Sequence, residues 1–322
     1  GDRSVTVTGV TLDNSNYSLA ASAVTGSEAG KLTGHINQKA LSATQASAVI
    51  KTYDKNDSAA FDNSNLTLSG VITGDTVSVT GSGTYDSVNA GDRSVTVTGV
   101  TLDNSNYSLA TSAVTGSEAG KLTGHINQKS LSATQAATVT KTYDKNNTAV
   151  FDNTNLTVNG IISGDTVSVT GGTGTYDSVN AGDRTVTVTG VTLDNSNYSL
   201  AAAAVTGSEA GKLTGHINQK ALSATQAATV TKTYDKSDTA AFDNTNLTVS
   251  GVITGDTVNV TSGTGTYDSA NAGTRTVTVT GVTLDNSNYS LAAAAVTGSE
   301  AGKLTGKINQ KDLTITAVTN TK

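Results

Sequence analysis

The decamer Thr-Leu-Asp-Asn-Ser-Asn-Tyr-Ser-Leu-Ala begins at Thr11 and returns at Thr101, Thr192 and Thr283, at spacings of 90, 91 and 91 residues. This repetition constrains the fold more than any other feature. Solenoid rungs and helical repeats run about 20–50 residues, whereas about 100 residues make a small independent β-domain. The chain therefore reads as a row of similar small domains rather than one large domain. The pentad Lys-Thr-Tyr-Asp-Lys keeps the same rhythm, at 51–55, 141–145 and 232–236. One residue accounts for the change of spacing: Gly81-Ser82-Gly83-Thr84 becomes Gly171-Gly172-Thr173-Gly174-Thr175. Glycine-rich turns absorb such insertions, so these stretches are expected to be hairpin loops.

Boundaries are placed between a closing strand that ends at Ile126 and an opening strand at Leu131. This divides the chain into a partial module at 1–38, full modules at 39–128, 129–219 and 220–310, and the start of another at 311–322. Asp312-Leu313-Thr314-Ile315-Thr316 repeats the opening-strand pattern, and the fragment is expected to come from a longer array.

Within a module, Ser94-Val95-Thr96-Val97-Thr98 and Asp75-Thr76-Val77-Ser78-Val79-Thr80 alternate apolar with polar residues, the mark of half-buried strands. Leu41–Gln45, Val49–Tyr53, Leu66–Ser69, Asn106–Ala110 and Lys121–Ile126 complete about seven short strands separated by turn residues, the pattern of a β-sandwich. The Ala-rich Leu200–Val205 is expected to continue a strand, with a turn of helix as the alternative. Inward candidates include Leu41, Val49, Phe61, Leu66, Ile72, Val77, Val79, Tyr85, Val95 and Leu122. The predicted fold class is all-β: a tandem array of Ig-like β-sandwich modules forming an elongated rod. A joint of about four residues around Ile-Asn-Gln-Lys is too short to act as a free coil.

Several function classes fall away on composition. Net charge is −6 and Lys and Arg are not clustered, whereas nucleic acids and anionic membrane surfaces require basic patches. No apolar run spans a bilayer, so no membrane insertion is expected in this segment. Cysteine is absent, which removes disulfides, thiolate zinc sites and thiol catalysis. His35, His125 and His216 stand one to a module, and their fourth equivalent is Lys307; a zinc ion needs several converging ligands. No acid, base and nucleophile converge, so an enzyme is not expected.

The pentad reads as a strand end, an aromatic anchor and an Asp-led turn. The structural signature is Tyr53 and Asp54, Tyr143 and Asp144, Tyr234 and Asp235. Asp at such a place bonds the amide two residues on, and Tyr buries its ring while its hydroxyl finds a backbone partner. The chemical alternative is calcium. Asp54, Asn56 and Ser58 follow a 1-3-5 spacing, as do Asp144, Asn146, Thr148 and Asp235, Ser237, Thr239. Hard-cation loops use that spacing, but the sixth position is Ala59 rather than Gly and the twelfth Asn65 rather than Glu. No cofactor is expected, with calcium the exception to be tested.

Together these stretches resemble a known family. Lys51-Thr52-Tyr53-Asp54, Ser69-Gly70-Val71-Ile72-Thr73-Gly74-Asp75-Thr76-Val77, Gly83-Thr84-Tyr85, Asn106-Tyr107-Ser108-Leu109 and Ile126-Asn127-Gln128-Lys129 resemble the YDG-type repeat. That repeat and related bacterial Ig-like modules occur in large secreted adhesins of the filamentous-haemagglutinin kind. The chain departs at two places: Lys55 stands where Gly follows Tyr-Asp, and Gln38, Gln128 and Gln219 stand where Pro precedes the closing Lys. The resemblance implies an extracellular stalk or fibre region on a bacterial surface, projecting a binding tip in adhesion or biofilm. Its partners would be neighbouring fibres by self-association, extracellular polysaccharide, or a host or abiotic surface. The alternative is that each repeat is itself a weak module for polysaccharide or a neighbouring fibre, acting by avidity.

Overall fold

The computed structural model describes residues 1–318. It is all-β, with no α-helix among the described residues, and holds three repeated barrel-like β units. By contacts the chain divides into two compact units. The first holds Gly1–Lys129 with Ile162–Gly164 and Ser196–Ser199; the second holds Ser130–Ile161, Asp165–Asn195 and the residues from Leu200 onward.

In the first unit a five-stranded sheet runs in the order Val49–Thr52, Lys121–Asn127, Gly91–Leu102, Val79–Tyr85, Ser58–Asp62. Its first pair is parallel and the others antiparallel. A three-stranded sheet runs Val114–Thr115, Ser42–Gln45, Leu66–Ser69. The two sheets alternate buried and exposed residues and turn their apolar sets inward. Val49, Phe61, Val79, Tyr85, Val95 and Leu122 from the wide sheet, and Ala43, Leu66 and Val114 from the narrow one, are buried. Among the described residues no buried side-chain polar atom lacks a partner. The second unit contains the same arrangement twice. The N-terminal residues form only a two-stranded ribbon, Asp2–Thr6 with Lys31–His35.

Three expectations fail, the first two because of partners distant in the chain. The glycine-rich stretch is not a hairpin loop but the middle of the strand Val79–Tyr85. Glycine is needed there because a Cβ on Gly81 would fall inside the Phe61 ring, and one on Gly83 would come 2.7 Å from the Thr96 carbonyl oxygen. The extra residue of the later copies is absorbed by bulging: one register shift in the first copy, two in the second. Asp75–Thr80 is strand only from Val79. Asp103 Oδ1 accepts from Ser78 N at 2.7 Å and Asn63 Oδ1 from Val79 N at 2.7 Å, so side chains replace a ladder. Ile72, just before this segment, is 52% exposed. The Ala-rich run forms a 3-10 turn, Ala202–Ala204, before the short strand Val205–Thr206. Asp312–Thr316 belongs to no strand.

Candidate functional site: the Tyr-Asp-Lys corner

Each copy of the pentad leaves the edge of the wide sheet. In the second unit Val139–Thr142 pairs parallel to Gly215–Asn218, and Tyr143 N extends that ladder by donating to Asn218 O at 2.8 Å. The first Lys then turns back. Lys141 Nζ lies 2.6 Å from Asp144 Oδ1 and donates to Asn146 Oδ1 at 2.8 Å, Asn146 O at 3.1 Å and Thr148 O at 3.3 Å. It also stands 5.9 Å above the Tyr176 ring. Its side chain is only 16% exposed.

The calcium-spaced oxygens thus do converge, and they converge on an ammonium. Lys51 is held in the same way by Asp54, Asn56 and Ser58 over Tyr85. Lys232 is held by Asp235, Ser237 and Thr239 over Tyr267. Asp54, Asp144 and Asp235 also accept from the amide two residues on, the Asx turn the sequence suggested. Burial pushes the Asp144 carboxyl up. The bonds from Lys141 and the Asn146 amide, with the Lys141 charge, outweigh it and hold the group below the usual carboxylate range.

Tyr143 does not complete its own core. Within the second unit its ring, 4% exposed, meets the Tyr289 ring edge-on, with centroids 5.4 Å apart and planes at 76°. Its hydroxyl donates to Asp256 Oδ2 at 2.9 Å, and the Tyr289 hydroxyl donates to the same oxygen at 2.7 Å. Lys145 Nζ reaches Asp256 Oδ1 at 2.8 Å. The Asp256 side chain is 10% exposed. One carboxylate therefore gathers two residues of one repeat, Tyr143 and Lys145, and one of the next, Tyr289. The Tyr hydroxyl meets a carboxylate rather than the backbone partner expected of it. The backbone partner belongs to another aromatic: Tyr176 donates to Val139 O at 3.0 Å.

Lys145 comes first in holding the Asp256 carboxyl down, to about 2, and the Tyr289 and Tyr143 hydroxyls add to it. Burial first, then the bond to Asp256, pushes the Tyr143 hydroxyl up to about 12.

A second strap lies beside the first. Ala181 N donates to Asn288 Oδ1 at 2.7 Å, and Asn288 Nδ2 to Asn180 Oδ1 at 3.1 Å. Gln219 Nε2 donates to Ser287 O at 2.9 Å. The glutamine that replaces the expected proline therefore ties the linker down. The first unit contains the same contacts in outline. The Tyr53 ring meets Tyr198 edge-on at 5.4 Å, Lys55 Nζ donates to Ser163 O at 3.5 Å, and Ala90 N to Asn197 Oδ1 at 2.8 Å. Tyr234 continues its strand by donating to Asn309 O at 2.9 Å and is half-buried.

The histidines lie elsewhere, His125 and His216 on the outer face of the wide sheet and His35 in the N-terminal ribbon. His125 Nδ1 pairs with Asp92 Oδ1 at 2.5 Å and His216 Nδ1 with Asp183 Oδ1 at 2.5 Å. In the third repeat both members change, to Lys307 and Thr274, in the same register. No group of three or more metal-ligating side chains occurs among the described residues.

The YDG domain model matches residues 37–115, 127–206 and 218–298. The chain belongs to the YDG domain family. Its three matches cover the strands and corners just described and stop short of each closing strand. Compared with curated proteins and with solved structures, the chain has no match. In this YDG protein the tyrosine and aspartate of the pentad have separate tasks: Asp144 cages its own Lys141, and Tyr143 meets Asp256 and Tyr289 of the next repeat. The sequence showed Asp256, Asn288 and Tyr289 only as copies of repeated motifs, and no joining role was read for them or for Asn180. The signal available for Asp256 was the turn Gly-Asp-Thr, present in every copy.

Proposed function

We propose that this YDG array is the structural stalk or fibre region of a bacterial surface or secreted adhesin, with Ig-like sandwich modules strung into an elongated rod that projects a binding tip. One observation carries the reading. The cluster of Tyr143, Lys145, Asp256 and Tyr289 holds one repeat against its neighbour rather than facing a ligand. Placing charge and aromatic area at a junction is what a spacer needs, since nearest-neighbour contacts set the stability of a repeat array. The setting is extracellular, the role non-enzymatic and independent of cofactors, and the partners are neighbouring fibres, polysaccharide or a host or abiotic surface.

Small-angle scattering of the whole chain tests the architecture: a rod-like cross-section regime is expected, and a globular profile would reject it. A glycan array with the same chain tests the role. Reproducible binding there would favour the alternative, in which each repeat is a weak polysaccharide module acting by avidity.

A further inference from the structure

Lys55, Lys145 and Lys236 are the non-glycine residues with positive φ among the described residues, at 71°, 70° and 70°. An L-residue pays for that left-handed conformation and glycine does not. Glycine is also what the family resemblance leads one to expect after Tyr-Asp. A lysine that only closed the turn would be the poorer choice three times over. What the lysine supplies is its side chain: Lys145 Nζ crosses to Asp256 Oδ1 at 2.8 Å, in the next repeat. Asp256 Oδ2 is already taken by the hydroxyls of Tyr143 and Tyr289. Those hydroxyls are neutral, so without Lys145 a nearly buried carboxylate would keep its hydrogen bonds but lose its counter-charge, which is costly.

We propose that the left-handed lysine selects its neighbour: it accepts a following repeat that carries a carboxylate at the Asp256 position and rejects one that carries a neutral or basic residue there. Attraction to the right partner and an unpaired charge against the wrong one are the two halves of specificity. Every full repeat carries both halves, Lys55, Lys145 and Lys236 with Asp75, Asp165 and Asp256. Any repeat can therefore follow any other, and an array built from them can gain or lose repeats while each new junction stays matched. This holds whether or not the array is a stalk.

Hydrogen exchange on the whole chain tests it. One amide reports on the junction: Ala181 N of the second repeat donates to Asn288 Oδ1 of the third. The amide of Val186, a buried residue in a central strand, reports on the fold of the repeat. Lys145→Gly separates the two roles of the residue. It should speed exchange at Ala181 by roughly ten-fold, the scale of one coupled charge pair, and leave Val186 unchanged. Unchanged or slower exchange at the junction would mean that the lysine only closes the turn, and would overturn the proposal. Lys145→Glu and Asp256→Lys should each open the junction further, and the double reversal should bring protection back toward that of the native chain. Two folded single reversals whose combination recovers nothing would also overturn it.

Discussion

Asp256 shows how much one side chain can depend on its surroundings. Its folded carboxyl is held at about 2, against about 3.9 in an unfolded chain. A group lowered on folding contributes stability above its unfolded value, and that contribution is lost as pH falls toward the folded one. The junction should therefore be intact at pH 5 and open between about pH 4 and 2, read as faster exchange at Ala181, whose amide donates across it. Tyr143 works in the opposite sense. Its hydroxyl is raised to about 12 from about 10, so its contribution is complete below pH 10 and lost as pH rises through about 12. Lys141 makes a different case, because its partners lie in its own repeat. Lys141→Met keeps the stem but takes the counter-charge from the Asp144 carboxylate, which keeps its bonds from Asn146, and the ammonium donor from the Asn146 and Thr148 carbonyls. It should destabilise the second repeat by about 1–3 kcal/mol in urea unfolding. Added calcium should not change the melting of the native chain, since the oxygens that would bind it already surround an ammonium. A calcium-dependent rise in melting temperature would show that the ammonium can be displaced.

At the scale of the element, the strands with clear alternation were legible: Ser94–Thr98 lies within the strand Gly91–Leu102, with Val95 and Val97 inward. Alternation misled at Asp75–Thr80, because Asp103 and Asn63 take the amides of Ser78 and Val79. Composition misled at the glycines, because what demands a glycine at position 172 is the Phe151 ring on the neighbouring strand, not a turn. Local sequence carries propensity, and these outcomes were set by partners distant in the chain. Gly172→Ala puts a methyl group where that ring sits. Its cost should be about 1–3 kcal/mol, the range for an overpacked core, with a shift of the Phe151 ring visible in its NMR signals. Gly164→Ala should behave differently, since its φ of 82° strains any side chain whatever the space.

For a molecule made of copies, the hardest thing to read from sequence is which copy a contact joins. Tyr143 has an aspartate of the Gly-Asp-Thr turn 22 residues ahead, Asp165, and another 113 residues ahead, Asp256. Both spacings recur wherever a full copy follows, so periodicity alone cannot choose between an internal corner and a junction. Geometry chooses the junction for Tyr143, and this changes what its removal should do. Buried in its own core, the ring would stabilise one repeat when present and melt that repeat when lost. Buried between the second and third repeats, it is a nearest-neighbour term, and its loss lowers the coupling of the two. Tyr143→Ala should remove about 3–5 kcal/mol in all, the range for a buried aromatic ring, drawn from the coupling. In scanning calorimetry the van't Hoff enthalpy should fall relative to the calorimetric enthalpy, because repeats that melted together now melt separately. Tyr176→Ala, which removes an aromatic 1% exposed inside the second repeat, is the contrast: it should lower the melting of that repeat directly. If Tyr143→Ala instead melts the second repeat early and leaves the rest as cooperative as before, the ring serves its own domain and the junction reading fails.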